Sequence, residues 1–187
     1  MRIVGGKQRG KRLSSPAGTA TRPTTDRVRE NLFNILENRI DFDGIRVMDM
    51  FAGSGALGFE ALSRGAEFCL FVETGASQRA IIRENADQLG LESQSRIFRR
   101  DARRLGELGT MHPFNLVFAD PPYAKAYGEQ AAQALLQGGW IRPGGLFVLE
   151  EQKSALPETI PGFETVINRS YGSTSVGLFE VLASPSI

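Results

Sequence analysis

The sequence predicts an α/β fold built on a mostly parallel sheet. From residue 45 onward, short apolar runs alternate with segments of helical periodicity, which is typical of parallel strands joined by helices. The first apolar run leads directly into a glycine-rich loop. The last two runs are separated by Tyr171-Gly172-Ser173-Thr174, a segment suited to a hairpin turn. We therefore expect a seven-stranded sheet with one antiparallel strand in a C-terminal hairpin, preceded by a basic N-terminal extension.

The predicted elements follow one another at short intervals. Gly65 and Gly90 are expected to end the helices at 56–64 and 77–89, because glycine readily adopts the left-handed conformation that often ends a helix. Pro143-Gly144-Gly145 predicts a turn before the fifth strand. Strands are expected at 45–51, 68–73, 95–99, 114–119, 146–150, 164–170 and 175–182, and helices at 56–64, 77–89 and 129–137.

The N-terminal part carries an excess of positive charge. Residues 1–39 hold nine of the 22 basic residues but only three of the 21 acidic residues, and a polyanion is drawn to such clustered charge. Residues 5–21 have no periodic pattern and are expected to be extended or mobile. We divide the chain into a basic N-terminal arm, 1–25, and one domain, 26–187.

An amphipathic helix is predicted where that domain begins. Thr24-Thr25-Asp26 is a helix start signal, and the positions after it have helical periodicity. Arg27 and Arg29 fall outside the apolar stripe, which is formed by Val28, Leu32, Ile35 and Leu36.

Composition excludes several classes of protein. The first residues lack the apolar core of a signal peptide, and no stretch approaches the roughly 20 apolar residues that span a bilayer. We expect a soluble, cytoplasmic protein. The single cysteine, Cys69, lies in an apolar run, which rules out an intrachain disulfide and a cysteine-based metal cluster and indicates a core residue.

A glycine loop follows the first predicted strand directly. Gly53-Ser54-Gly55-Ala56-Leu57-Gly58 has the Gly-x-Gly-x-x-Gly pattern, which lets the backbone turn tightly and lets a ligand approach it. Glu73 ends the second strand, twenty residues after Gly53, and could hold two ribose hydroxyls. Both features also occur in dinucleotide sites, so they do not identify the ligand by themselves.

Two further acids favour a cationic ligand. Asp49 lies near the end of the first strand, where it would repel a pyrophosphate but could accommodate the ammonium group of a methionine moiety through water. Asp101 follows the third strand and could accept a hydrogen bond from an adenine amine. Three carboxylates around a glycine loop suit a sulfonium nucleoside better than a diphosphate.

Asp120-Pro121-Pro122-Tyr123 ends the fourth strand and suits methylation of an amine. The amine of an aromatic base is a poor nucleophile, and acceptors for its hydrogens favour the positive charge that develops on it. The Asp120 carboxylate and the Pro121 carbonyl are such acceptors, with Pro122 adding rigidity, and Tyr123 can stack on the base. This chemistry requires no metal.

Four segments together resemble a known family, the bacterial 16S ribosomal RNA guanine-N2 methyltransferases named for guanine 966. The resemblance runs from residue 2 to about residue 182, and the arginine-rich segment Arg22 to Glu30 narrows it beyond other amino-methyltransferases. The matching segments are Arg2-Ile3-Val4-Gly5-Gly6, Thr21-Arg22-Pro23-Thr24-Thr25-Asp26-Arg27-Val28-Arg29-Glu30, Asp49-Met50-Phe51-Ala52-Gly53-Ser54-Gly55-Ala56-Leu57-Gly58 and Asp120-Pro121-Pro122-Tyr123.

The resemblance implies a Rossmann-like class I methyltransferase fold, S-adenosylmethionine as methyl donor and N2-methylguanine in 16S ribosomal RNA as product. It also implies that the substrate is a partly assembled small ribosomal subunit. The cofactor residues would be Asp49, Phe51, Ala52, Gly53, Ser54, Gly55, Glu73, Asp101 and Ala102. The RNA-binding residues would be Lys7, Arg9, Lys11, Arg12, Arg22, Thr24, Arg27 and Arg29.

One departure and two alternatives remain at this point. Sequences of this family usually carry another polar or acidic residue within two positions of Glu73, whereas Thr74-Gly75-Ala76 follows here. One alternative is an amino-methyltransferase that acts on adenine in DNA or on glutamine in protein, although glutamine methyltransferases typically have Asn at the position of Asp120. The other is a non-catalytic RNA-binding assembly factor. No dimer stripe is evident, so we expect a monomer.

Overall fold

The computed structural model describes residues 1–15, 26–122 and 126–183. These residues form a mixed sheet of seven strands, four α-helices and one 3-10 helix. The chain divides into two compact units, Met1–Arg99 and Arg100–Ile187. The first contains α1 (Asp26–Glu37), β1 (Arg46–Met50), α2 (Ala56–Ser63), β2 (Phe68–Val72), α3 (Ala76–Leu89), the 3-10 helix Glu92–Gln94 and β3 (Ser95–Phe98). The second contains β4 (Phe114–Ala119), α4 (Tyr127–Gln137), β5 (Ile141–Gln152), β6 (Phe163–Tyr171) and β7 (Thr174–Val181).

In the first unit, β2 lies between β1 and β3, and all three strands are parallel. The last four residues of β1 and of β2 are all buried, as expected for strands covered on both faces. The helix α3 ends at Gly90, whose φ of 69° is the predicted left-handed cap. Each predicted strand and helix of this unit is confirmed within one or two residues.

The N-terminal residues differ from the prediction of an extended or mobile segment at 5–21. Residues 1–15 fold into a hairpin, called here the N-terminal hairpin, with an antiparallel bridge between Arg2 and Arg12. Ile3 and Leu13 are buried, and the amide of Lys7 donates to the Ser63 carbonyl at 2.7 Å. These contacts are distant in sequence, which is why the local pattern did not predict them. Residues 16–21 lie outside the described parts, and the boundary at residue 25 stays a prediction.

In the second unit, β4 pairs parallel with β5, while β7 lies between β5 and β6 and runs antiparallel to both. The predicted turn at Pro143-Gly144-Gly145 is instead a bulge inside β5. The register moves from Phe114 opposite Ile141 to Leu116 opposite Leu146, so β5 contains three extra residues there. Gly144 has a φ of 70°, which accommodates the bulge.

The predicted seven-stranded, mostly parallel sheet with one antiparallel strand in a C-terminal hairpin is therefore confirmed. Across the described residues, none of the helices combines the length and the apolar character needed to cross a membrane.

Candidate functional site

The loop between β1 and α2 has an unusual backbone. Phe51, Gly53 and Gly55 all have positive φ, at 58°, 57° and 79°. Glycine adopts this conformation freely, whereas a bulky residue such as Phe51 is strained in it, and such strain is concentrated at functional sites. The loop is closed by a hydrogen bond of 2.7 Å from the Gly55 amide to the Ala52 carbonyl.

Glu73 fixes this loop to the end of β2. One of its carboxylate oxygens accepts the Gly53 amide at 2.9 Å, and the other accepts the Gly75 amide at 2.8 Å. The side chain is half-buried. Because each carboxylate oxygen can accept two hydrogen bonds, both oxygens retain capacity for a ligand hydroxyl. The loop and Glu73, predicted to share one site, are thus in direct contact.

Asp49 is buried between β1 and the start of α2. It is 2% exposed, and its carboxylate accepts the Gly58 amide at 2.9 Å. Burial raises the pKa of this carboxyl to about 8, an effect that the Gly58 hydrogen bond opposes and the charge of Glu73 reinforces. Asp49 thus supports the first turn of α2 through the Gly58 amide, and its contact with an ammonium group through water stays a prediction.

Replacing Asp49 with asparagine should flatten the pH dependence of stability. The folded protein binds a proton that the unfolded chain releases, so the free energy of unfolding should fall as pH rises from 3.8 to about 8. This group contributes a slope of up to about 1.4 kcal/mol per pH unit. Urea unfolding at about pH 5 and about pH 8 measures the slope. The exposed Asp43→Asn should retain the wild-type slope, and an equally steep slope in Asp49→Asn would contradict the assignment.

Gly58 allows α2 to pack closely on β2. A Cβ atom at this position would lie 2.4 Å from Cε1 of Phe71 and 2.6 Å from Sγ of Cys69. Cys69 is fully buried, as predicted for a core residue. The third glycine of the pattern therefore serves the packing of helix on strand.

In the second unit, Asp101 forms a bidentate ion pair with Arg103. The arginine Nε donates to one carboxylate oxygen at 2.9 Å, and a terminal nitrogen donates to the other at 2.6 Å. The side-chain hydrogen bond from Arg103 is the main cause that lowers the pKa of Asp101. The Arg103 guanidinium also lies 4.1 Å from the centre of the Tyr127 ring. Sequence reasoning missed Arg103, and its only signal was a cation two residues after a candidate acid.

The segment Asp120-Pro121-Pro122 leaves β4 directly. Residues Leu116 to Ala119 are buried, Asp120 is half-buried, Pro121 is buried and Pro122 is exposed. Asp120 thus follows the end of the fourth strand, as predicted, and is the first partly exposed residue after the buried ones. Tyr123 lies outside the described residues. Ala102, another predicted cofactor residue of this unit, is 4% exposed.

Most of the predicted RNA-binding residues that the structure describes are exposed cations. Five of them are exposed, and within the described part of the chain they take part in none of the ion pairs: Lys7, Arg9, Lys11, Arg12 and Arg27. Arg22 and Thr24 lie outside the described residues.

Arg29 is the exception, and its prediction is corrected. It is 0% exposed, its guanidinium donates to Asp26 at 2.8 Å and to the Arg2 carbonyl, and its Nε lies 3.6 Å from the Glu60 carboxylate. A side chain buried in this way holds α1 against the N-terminal hairpin and cannot contact RNA in this conformation.

The fold, in which antiparallel β7 lies between β5 and β6, together with the glycine loop, places this protein in the class of Rossmann-like class I methyltransferases. The chain belongs to the family described as Conserved hypothetical protein 95, whose model matches residues 1–180.

Relatives agree with this class over nearly the whole chain. YlbH of Bacillus subtilis (strain 168) is 37% identical over 187 residues, covering 96% of this chain and 98% of the relative. Ribosomal RNA small subunit methyltransferase D of Escherichia coli (strain K12) is 39% identical over 163 residues, covering 86% of this chain and 79% of the relative. The solved structure of yhhF from Escherichia coli superposes with a TM-score of 0.84 at 30% identity, covering 98% of this chain and 99% of that chain.

Proposed function

We propose that this protein transfers a methyl group from S-adenosylmethionine to the exocyclic N2 amine of a guanine in 16S ribosomal RNA. The observation that carries the proposal is Asp120-Pro121-Pro122 at the end of the buried strand β4, because this segment supplies acceptors for an amine. A relative that is 39% identical is named as a ribosomal RNA small subunit methyltransferase, which supports the choice of RNA.

The residues of the glycine loop fit S-adenosylmethionine. Glu73 is half-buried beside the loop and can accept hydrogen bonds from the two ribose hydroxyls, while Asp101 can accept one from the adenine amine. Carboxylates suit a ligand that carries positive charge on sulfur. When bound, S-adenosylmethionine supplies an electrophilic methyl group. Asp49 acts on this site indirectly, through the Gly58 amide.

Asp120 and Pro121 would orient the substrate amine. The carboxylate of Asp120 and the carbonyl of Pro121 accept its two hydrogens, which fixes the direction of the nitrogen lone pair. A nitrogen that gains a fourth bond becomes positively charged, and the adjacent carboxylate stabilises this charge and can receive the proton that leaves. Tyr123 would stack on the base and stabilise the charge through its ring face.

The N-terminal hairpin would bind the RNA backbone. Four of its exposed cations, Lys7, Arg9, Lys11 and Arg12, can contact phosphates, and Arg27 on α1 adds a fifth charge. The target guanine would be turned out of its stack, which costs least in a loop or bulge. The partner we propose is a partly assembled small ribosomal subunit, and the protein would act as a monomer.

Transfer of labelled methyl groups from S-adenosylmethionine tests the proposal. The acceptors are naked 16S RNA, small subunits that lack the modification, and free DNA, followed by nucleoside analysis. We expect N2-methylguanosine from the small subunits. Label in DNA or in ribosomal protein would support the alternative amino-methyltransferases, and the absence of transfer despite tight cofactor binding would contradict the substrate assignment.

Replacing Glu73 with alanine should weaken cofactor binding by at least about 10- to 100-fold, because even one hydrogen bond to a charged group contributes about 1.5–3 kcal/mol and Glu73 can accept two. Calorimetric titration with S-adenosylhomocysteine measures the dissociation constant. The exposed Glu92→Ala, which changes an acid of the same unit, should bind as the wild type does. A folded Glu73→Ala with unchanged affinity would remove Glu73 from the cofactor site.

A further inference from the structure

The side chain of Asn85 connects the N-terminal hairpin to the glycine loop. Asn85 lies on α3 and is 0% exposed. Its amide oxygen accepts the backbone amide of Ser14 at 2.8 Å, and its amide nitrogen donates to the Ser14 carbonyl at 3.1 Å and to the Ser54 carbonyl at 2.9 Å. Ser14 is near the end of the hairpin, and Ser54 lies between the two glycines of the loop. One buried side chain therefore holds both segments.

A second connection holds the other end of the hairpin. The carboxylate of Glu60 accepts the backbone amides of Val4 and Gly5, at 2.9 Å and 2.8 Å. Glu60 lies on α2, the helix that the glycine loop opens. Lys7, Arg9, Lys11 and Arg12, the exposed cations proposed to contact RNA, are located between these two connections in sequence.

A buried amide with all its hydrogens donated is costly to disrupt, because each unpaired polar group loses its solvation without compensation. A change in the position or mobility of the Ser54 carbonyl therefore acts on Ser14 through the same side chain. Gln8 offers a contrast: its side chain donates to the Leu89 carbonyl on α3 at 3.3 Å, and among the described residues this contact does not extend to the loop.

We propose that Asn85 is a positioning residue that couples cofactor binding at the glycine loop to RNA binding by the N-terminal hairpin. The inference rests on the proposed function. A cofactor that orders the loop also orders the end of the hairpin, so that part of the entropy cost of RNA binding has already been met. Because such coupling is reciprocal, RNA raises cofactor affinity by the same factor.

Amide hydrogen exchange of the full-length protein tests the coupling without RNA. Adding S-adenosylhomocysteine should slow exchange of the backbone amides at residues 11–14 by at least about fivefold, the lower end of usual coupling factors. Asn85→Ala should lose this effect while its loop amides are still protected by the ligand. Gln8→Ala, which removes a contact between the same hairpin and the same helix, should retain the effect.

The outcomes separate this inference from the proposed function. If wild-type protein does not bind S-adenosylhomocysteine, the proposed function fails, and the inference fails with it. If the ligand binds and protects the loop but leaves residues 11–14 unchanged, only the coupling is overturned. Coupling that persists in Asn85→Ala overturns it as well.

Asn85→Asp provides a second variant in case Asn85→Ala does not fold. It retains an acceptor for the Ser14 amide but places an oxygen against the Ser14 and Ser54 carbonyls, so the only bond to the loop is lost while one bond to the hairpin remains. With this variant, the ratio of the S-adenosylhomocysteine dissociation constants without and with 16S RNA should fall to about one from at least about five. A wild-type ratio in a folded Asn85→Asp would contradict the inference.

Discussion

Replacing Asp120 with alanine should lower kcat for methyl transfer about 10²- to 10³-fold, the usual effect of removing one group that stabilises transition-state charge. The dissociation constant of the cofactor should stay within about threefold of the wild-type value, because the proposed role of Asp120 is toward the amine. Single-turnover transfer of labelled methyl groups to small subunits measures the chemical step. Calorimetry with S-adenosylhomocysteine measures binding separately.

Two further variants separate charge from hydrogen bonding. Asp120→Asn retains one acceptor oxygen but loses the negative charge, so its rate should lie between those of the wild type and Asp120→Ala. Glu129→Ala removes an exposed acid from the first turn of α4 and should transfer methyl groups at the wild-type rate. Near-normal turnover by Asp120→Ala would show that Asp120 has no part in the reaction.

Replacing Glu60 with alanine should lower the free energy of unfolding by about 3–5 kcal/mol, the usual cost of removing one partner of a buried ion pair. Glu60 is 0% exposed and accepts hydrogen bonds from the amides of Val4 and Gly5 and from Arg64 at 3.0 Å. The truncation would also leave the buried charge of Arg29 without this carboxylate. Urea unfolding measures the change.

Glu37→Ala is the matched control for Glu60. Glu37 also pairs with Arg64, but its side chain is 47% exposed, so its loss should cost no more than about 1 kcal/mol. Glu60→Gln keeps an acceptor oxygen and should lie between the two. If Glu60→Ala were as stable as Glu37→Ala, the buried network would not hold the hairpin.

The sequence predicted those features that depend on neighbouring residues. The strand β1 was recognised because its apolar residues are consecutive and lead into a glycine loop. Gly90 was recognised as the end of α3 because a left-handed cap is a local requirement. Glu73 was assigned to the same site as the loop because it ends the next parallel strand, but its direct hydrogen bond to the Gly53 amide is known only from the structure.

Features that depend on distant residues were missed. Arg29 has the helical spacing of the buried face, with Leu32, Phe33 and Leu36, but a charged residue is assigned to solvent unless its partner is known. Of its two acidic partners, Asp26 is local, but Glu60 lies 31 positions away on another helix. The burial of Asp49 was likewise unpredictable, because it depends on the way α2 packs over β1. The bulge in β5 resembles a turn locally and is recognised only by its pairing with β4.

The outer strand β6 has a bulge at Val166, where two steps along β6 match one step along β7. An unpaired strand edge is a template on which another chain can add by backbone hydrogen bonding, and bulges and charges are the usual obstacles to such addition. The exposed residues of β6 include Glu164 and Arg169. The bulge and the charged side chains of β6 therefore oppose the addition of a strand from a second molecule, which is a route to aggregation at high protein concentration.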